Sequence, residues 1–351
     1  MHTIESPSHI SCESAQQLYL RVLEAVSEGE KVGSVLDPKS IGSAWGTRER
    51  PTKELRFVTL ILENPRNRMI ACPPFRLEEA IPRAVLCTLS DVPDLKTVSF
   101  YNSRVCEFSD DGKTIPSNYG CRIRNFNEID QVQEVIELLK RDRNSRRAVI
   151  HVHSVGDSKL RLTPCVNSLH FLIRNGALEC HSFWRSENAL TLLPINIFEF
   201  TLLQELIASE LEIPLGPYAQ TITSLHYYLD NEGRLHQTLR DLESAPIPDP
   251  MDPMTPRSME QIEIVRNFEE ELRLQIGNGA NEFSELSNYW QNIAGVIAYT
   301  IAKKRGNEST MRFWKNGSPW ADLLTDSFIE QAVPANSERP LSGFFRIPVR
   351  R

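Results

Sequence analysis

At 351 residues the chain is long enough for one large domain with an appendage, or for two domains, around a sizeable core. A formal net charge of −7 excludes the broadly basic face that non-specific nucleic-acid binding requires, and no run of about 18 apolar residues is present to cross a membrane. Seven scattered cysteines without a CxxC pair suggest neither a zinc site nor a disulfide framework, and residues 1–14 lack the basic start and apolar stretch of a signal peptide, so reduced thiols in a cytoplasmic protein are expected.

In chain order, residues 1–14 read as a mobile tail whose last residue, Ser14, caps a helix reaching about Glu28, with Leu18, Val22, Leu23 and Val26 on its apolar side. Residues 29–53 form a polar loop holding Arg48 and Arg50, and 55–62 a strand closed by Asn64-Pro65. A helical pattern over 76–90 is interrupted by Pro82, which predicts a kink or a new start there. Tyr119-Gly120 precedes a short helix. Residues 128–141 carry an apolar stripe at Ile129, Val132, Val135, Ile136 and Leu139, followed by Arg146-Arg147 and a strand over 148–155.

Residues 161–198 hold the candidate chemistry. Asn175-Gly176 is a hairpin turn between two strands, placing Cys165 at the start of one and Arg185-Ser186 at the end of the other. A guanidinium beside a thiol favours the thiolate, and an arginine with a serine suits a phosphate. A cysteine after proline is equally an inert half-buried side chain, the Arg146-Arg147 pair equally a solvated turn. Residues 197–211 are apolar on most of their circumference and predict a central buried helix, with Asn196 at its N-terminal side as a possible cap. His226 and Tyr228 end a strand. Five prolines in 243–258 mark a linker or a long structured loop, and helical periods follow over 259–275 and 285–304.

Ser145-Arg146-Arg147, Pro164-Cys165, Arg185-Ser186, Pro194-Ile195-Asn196 and His226-Tyr227-Tyr228, in this order and at these separations, resemble the thymidylate synthase and pyrimidine nucleotide hydroxymethylase superfamily over about residues 15–235. The resemblance implies an α+β fold, a mixed sheet with packed helices, as a catalytic core over 15–242. A proline-rich linker (243–258), a helical appendage (259–332) and a C-terminal segment (333–351) that closes over the site would follow. It implies that Cys165 adds to C6 of a pyrimidine nucleoside monophosphate, activating C5 toward the one-carbon unit of 5,10-methylenetetrahydrofolate. Arg48, or Arg50 in its place, would hold the phosphate with Arg146, Arg147, Arg185 and Ser186. Arg146 and Arg147 would reach across a homodimer, so that active sites are shared. His226 and Tyr228 would bond the sugar, and Asn188 and Leu192 stand at cofactor-contacting positions. The Asn196 amide would match N3–H and O4 of uracil, where cytosine-specific members often carry aspartate.

Departures cluster on the folate and proton-relay side. The family's helix glutamate and tryptophan correspond to Ala84 and Cys87, with Glu78 and Glu79 nearby as possible substitutes. Trp184 stands where glutamine or methionine is usual, Val166 for histidine or threonine, Asn188 for aspartate and Leu192 for glycine. Three outcomes stay open: one-carbon transfer to C5 of a uracil nucleotide, hydroxymethylation for a modified nucleoside or specialised metabolite, and nucleotide binding without catalysis.

Overall fold

The computed structural model describes residues 9–36, 49–91, 94–109, 111–115, 118–160, 162–277 and 279–325. The fold is α+β. Its frame is an eight-stranded mixed sheet ordered β1 (His9–Cys12), β3 (Glu49–Leu62), β8 (Leu215–Tyr228), β6 (Ala177–Trp184), β5 (Val166–Arg174) and β4 (Val149–His151). Two further strands join this path, β2 (Glu30–Leu36) on β3 and β7 (Glu187–Asn188) on β8. Along β6, Leu178, Cys180, Ser182 and Trp184 are buried while the alternate residues are not, so one face of the sheet is covered and the other open.

The covering layer centres on α6 (Leu193–Leu211), which is buried nearly all round. Gln204 ties it to the sheet, its Nε2 donating to the carbonyl oxygens of Leu178 and Gly216. Such a helix is a core element because both sides meet protein, the sheet below and other helices outside. Those helices include α1 (Ala15–Ser27), whose first turn Ser14 caps by accepting from the Gln17 N–H, and α2 (Leu77–Cys87).

Several boundaries differ from expectation, each for a local reason. The supposed tail contributes β1, paired in parallel with residues 59–62 of β3. The loop expected over 29–53 is partly the antiparallel β2–β3 pair; position 48 lies outside the described residues, as do 1–8 and 326–351, which include the expected closing segment. Pro82 lies inside α2, which starts at Leu77, so no new helix begins at the proline. Asp130 caps the next helix through the N–H groups of Val132 and Gln133, so α5 begins at Gln131 (Gln131–Arg141), and Ile129 is exposed instead of joining the apolar stripe. Strand β4 stops at His151 because the Val152 and His153 N–H groups both turn to the Asn167 carbonyl. Downstream, Asp157 closes a short turn and pairs with Arg122 at 2.8 Å.

The C-terminal helices share the hydrophobic core rather than forming a separate one. In α10 (Asn288–Lys304), Trp290, Ile293 and Ile297 are fully buried in the same cluster as Ile81 and Val85 of α2. The proline-rich stretch takes the structured alternative: the Met251 N–H donates to the Arg66 carbonyl and the Met254 N–H to Glu205.

Candidate active site

The β5–β6 hairpin sets the site. Asn175 and Gly176 both have positive φ, 51° and 81°, as a two-residue type I′ turn requires, and the register pairs Val166 with Trp184. Cys165 and Arg185 are thereby brought side by side. The Arg185 N–H donates to the Cys165 carbonyl at 3.0 Å, and Nη2 lies 3.7 Å from Sγ. The same guanidinium donates to the carbonyls of Pro164 (2.9 Å) and Thr163 (2.7 Å), fixing the chain that leads into the cysteine. Burial pushes the Cys165 thiol up; Arg185 opposes this, Glu187 adds to it, and Arg83 opposes it again. Ser186, half-buried, follows Arg185 directly.

A second group of side chains gathers on Asn196. Because α6 starts at Leu193, with Pro194 in its first turn, Asn196 lies within the helix and its N–H bonds the Leu192 carbonyl, so it is not a cap. Its amide is held at both ends: Oδ1 accepts from Arg83 Nη2 at 3.2 Å and Nδ2 donates to Glu187 Oε2 at 2.8 Å. Glu187 Oε2 also accepts from Gln220 Nε2 at 3.2 Å, and Oε1 has no hydrogen-bond partner among the described residues. Burial raises the Glu187 carboxyl to about 8, although Asn196, Gln220, Arg83 and the nearby Asn188 N–H all pull it down. Arg83 is forked onto the buried Glu199 carboxylate at 3.0 and 3.2 Å, which also accepts from the Thr88 hydroxyl. Asn196, the amide that the resemblance sets against the base, thus joins a network whose other members, Arg83, Glu187, Gln220 and Glu199, the sequence analysis did not single out. Glu199 did carry a signal, since a carboxylate on a helix apolar all round needs a cation, and Arg83 supplies it.

Tyr119 packs on the aromatic residues beside the cluster, its ring edge-on to Trp184 at 6.4 Å and tilted against Phe200 at 5.3 Å. The next residue, Gly120, lets its helix lie against the backbone of Ser90, because a Cβ there would lie 1.8 Å from the Ser90 carbonyl oxygen. Trp184 is buried, with Nε1 bonded to Ser182, and Val166 and Ala84 are buried core residues. Neither proposed substitute for the missing helix glutamate serves: Glu78 is buried against Lys303 at 3.0 Å, and Glu79 faces outward, 3.3 Å from Arg76.

His226 and Tyr228 end β8, their rings edge-to-face at 5.3 Å. Arg50 stacks over the Tyr228 ring at 3.8 Å and grips Asp230 through two bonds of 2.9 and 2.7 Å. Arg50, the alternative to Arg48 at the phosphate, is thus engaged by a carboxylate in this structure. Asn188 Oδ1 accepts the Leu190 and Thr191 N–H groups, a turn-forming role, while Leu192 beside it keeps 38 % of its surface exposed. Arg146 and Arg147 are exposed at the start of β4, which pairs Val149 with His170. That register puts Arg147 opposite Leu172, seven residues from Cys165 and so roughly 23 Å along the strand. They do not converge with the thiol of their own chain.

The chain belongs to the thymidylate synthase family, whose family model matches residues 87–273. It is also similar to a deoxyuridylate hydroxymethyltransferase of Bacillus phage SP01, 32 % identical over an alignment of 240 residues that covers 62 % of this chain. The chain spans 58 % of that relative's length. Among the described residues no helix is long and apolar enough to cross a membrane.

Proposed function

We propose that the protein transfers a one-carbon unit from methylenetetrahydrofolate to C5 of a uracil nucleoside monophosphate, with the hydroxymethyl nucleotide as product. The observation that carries this reading is the Cys165 sulfur held 3.7 Å from Arg185 beside the buried Asn196 network. Cys165, as thiolate, adds to C6; C5 then attacks the one-carbon unit and loses its proton as the bond from that carbon to nitrogen breaks and tetrahydrofolate leaves, and water adds to the resulting exocyclic methylene as the C6–S bond breaks and the thiolate is released. Net, nucleotide, methylenetetrahydrofolate and water give hydroxymethyl nucleotide and tetrahydrofolate. Methylation would instead consume a hydride and yield dihydrofolate; the phage relative's name favours the first outcome.

Arg185 and Ser186 hold the phosphate on this side, and His226 and Tyr228 the sugar. The exposed Leu192 surface beside the Asn188 turn suits a flat folate ring. The donor supplies carbon at the oxidation level of formaldehyde. Arg146 and Arg147, too far from their own Cys165, complete the phosphate site of a second copy in a homodimer, for which the open face of the sheet, with Phe57 and Phe183 exposed, is the docking surface.

Tritium release from [5-³H]dUMP with methylenetetrahydrofolate tests the reading. Release with a hydroxymethyl product and no rise in dihydrofolate absorbance is expected; nucleotide binding without release from uracil or cytosine substrates would leave only a binding protein.

A further inference from the structure

The network around Asn196 has two open ends that the one-carbon reading leaves unassigned. The first is Arg83. Glu199 and Asn196 take its Nε and Nη2, whereas Nη1 donates to nothing among the described residues, and a third of the side chain, 33 %, is exposed. The second is Glu187 Oε1, which is buried and without a partner. Since Oε2 already accepts two N–H groups, from Asn196 and Gln220, the proton of the neutral acid belongs on Oε1, making that atom a donor. Asn196 joins the two, accepting from Arg83 and donating to Glu187, and Glu187 stands two residues after Arg185, whose guanidinium lies 3.7 Å from the Cys165 sulfur, so sulfur, guanidinium and carboxyl belong to one site.

Resting on the pyrimidine nucleotide reading above, we infer that Arg83 Nη1 and the Oε1–H of Glu187 form a two-donor cradle for the C4 oxygen of the pyrimidine. The pair selects uracil over cytosine and takes up the charge that thiolate addition creates. When Sγ bonds to C6, the C5=C6 electron pair moves to C4–C5 and the C4=O pair moves onto O4. The two donors meet that oxyanion, and its collapse returns the pair to C5 for attack on the one-carbon unit. A cytosine presents an amine at the same place, donors facing donors, and leaves both protein groups unpaired. The cradle lies one residue along α2 from Ala84, which cannot take part in such chemistry. The raised Glu187 carboxyl agrees with it, because the neutral acid is the form able to donate near pH 7.

The test measures Kd for dUMP, dCMP and 2-deoxyribose 5-phosphate on the full-length protein, with tritium release from the two [5-³H] nucleotides. Wild type should bind dUMP at least about tenfold tighter than dCMP. The variant Arg83→Gln/Glu199→Gln neutralises both partners of the ion pair together, so no lone charge is left inside to unfold the protein. It should bring the two affinities within about threefold of each other, hold deoxyribose phosphate affinity within about twofold, and lower release from dUMP by about a hundredfold. In Glu187→Gln, the fall in wild-type release as pH rises through about 8 should disappear. A double variant that keeps the tenfold preference, or an unchanged pH limb in Glu187→Gln, overturns the cradle. So does a wild type that prefers dCMP and releases its tritium, with the nucleotide reading left standing. A wild type that binds neither nucleotide overturns both.

Discussion

The Thr300 hydroxyl lies 3.0 Å from the carbonyl oxygen of Glu78, the acceptor that Pro82 leaves without its helical N–H four residues on. The proton is shared with the Val296 carbonyl at 2.7 Å, and Lys303, one turn further along α10, pairs with the Glu78 carboxylate. A proline that would otherwise break α2 is thus accommodated by a helix more than 200 residues away. Thr300→Val should strand a buried carbonyl and cost about 1 kcal/mol, lowering Tm by roughly 1–3 °C, whereas Thr300→Ser should stay close to wild type. Thermal unfolding of the two variants checks this.

Cys165→Ala removes the proposed nucleophile while leaving Arg185 anchored on the carbonyls of Thr163 and Pro164. Nucleotide affinity should remain within a few-fold of wild type and C5 tritium release should vanish. Calorimetry and the release assay separate the two effects.

Glu187 gives stability a pH slope. In the unfolded chain its carboxyl releases its proton near 4.5, and in the folded protein near 8, so between these values the native state binds more protons and stability falls as pH rises. The loss amounts to at most about 1.4 kcal/mol per pH unit within that window. Glu187→Gln lacks the slope, so its Tm relative to wild type should climb steadily from pH 5 to pH 8.

Arg122 and Asp157 slope the other way. Burial alone would raise the Asp157 carboxyl, but the forked Arg122 bonds and the Ser154 N–H hold it below the ordinary range. Its stabilisation is present above the unfolded-state pKa and is lost as pH falls through the lower native value. Arg122→Ala leaves a buried carboxylate unpaired and should destabilise by about 3–5 kcal/mol at pH 7, with a smaller penalty in acid once Asp157 is protonated. Denaturant titrations at the two pH values check it.

What was legible in the sequence was what neighbours decide. Ser14 as a cap, Asn175-Gly176 as a turn, and Cys165 facing Arg185 across that turn all follow from contacts within a few residues or one hairpin register. Hidden were features whose partners lie far along the chain. Pro82 reads as a helix breaker until Thr300 is placed beside Glu78, and Arg83 reads as a surface charge until Glu199, 116 residues later, is seen beneath it. Glu187 carried no local warning, because the residues that surround it come from α2, α6 and β8. The resemblance pointed to Cys165 and Arg185; it did not point to the network of Arg83, Glu187 and Glu199, residues its motifs do not contain.

The strand register that separates Arg147 from Cys165 carries one more consequence. If each thiol works only with arginines lent by its neighbour, mixing inactive Cys165→Ala subunits with inactive Arg146→Ala/Arg147→Ala subunits should restore turnover by complementation. Up to about a quarter of the native sites would recover, since half the reassorted pairs are mixed and each rebuilds a single complete pocket. Dilution to the point of dissociation should silence the wild-type protein without unfolding it.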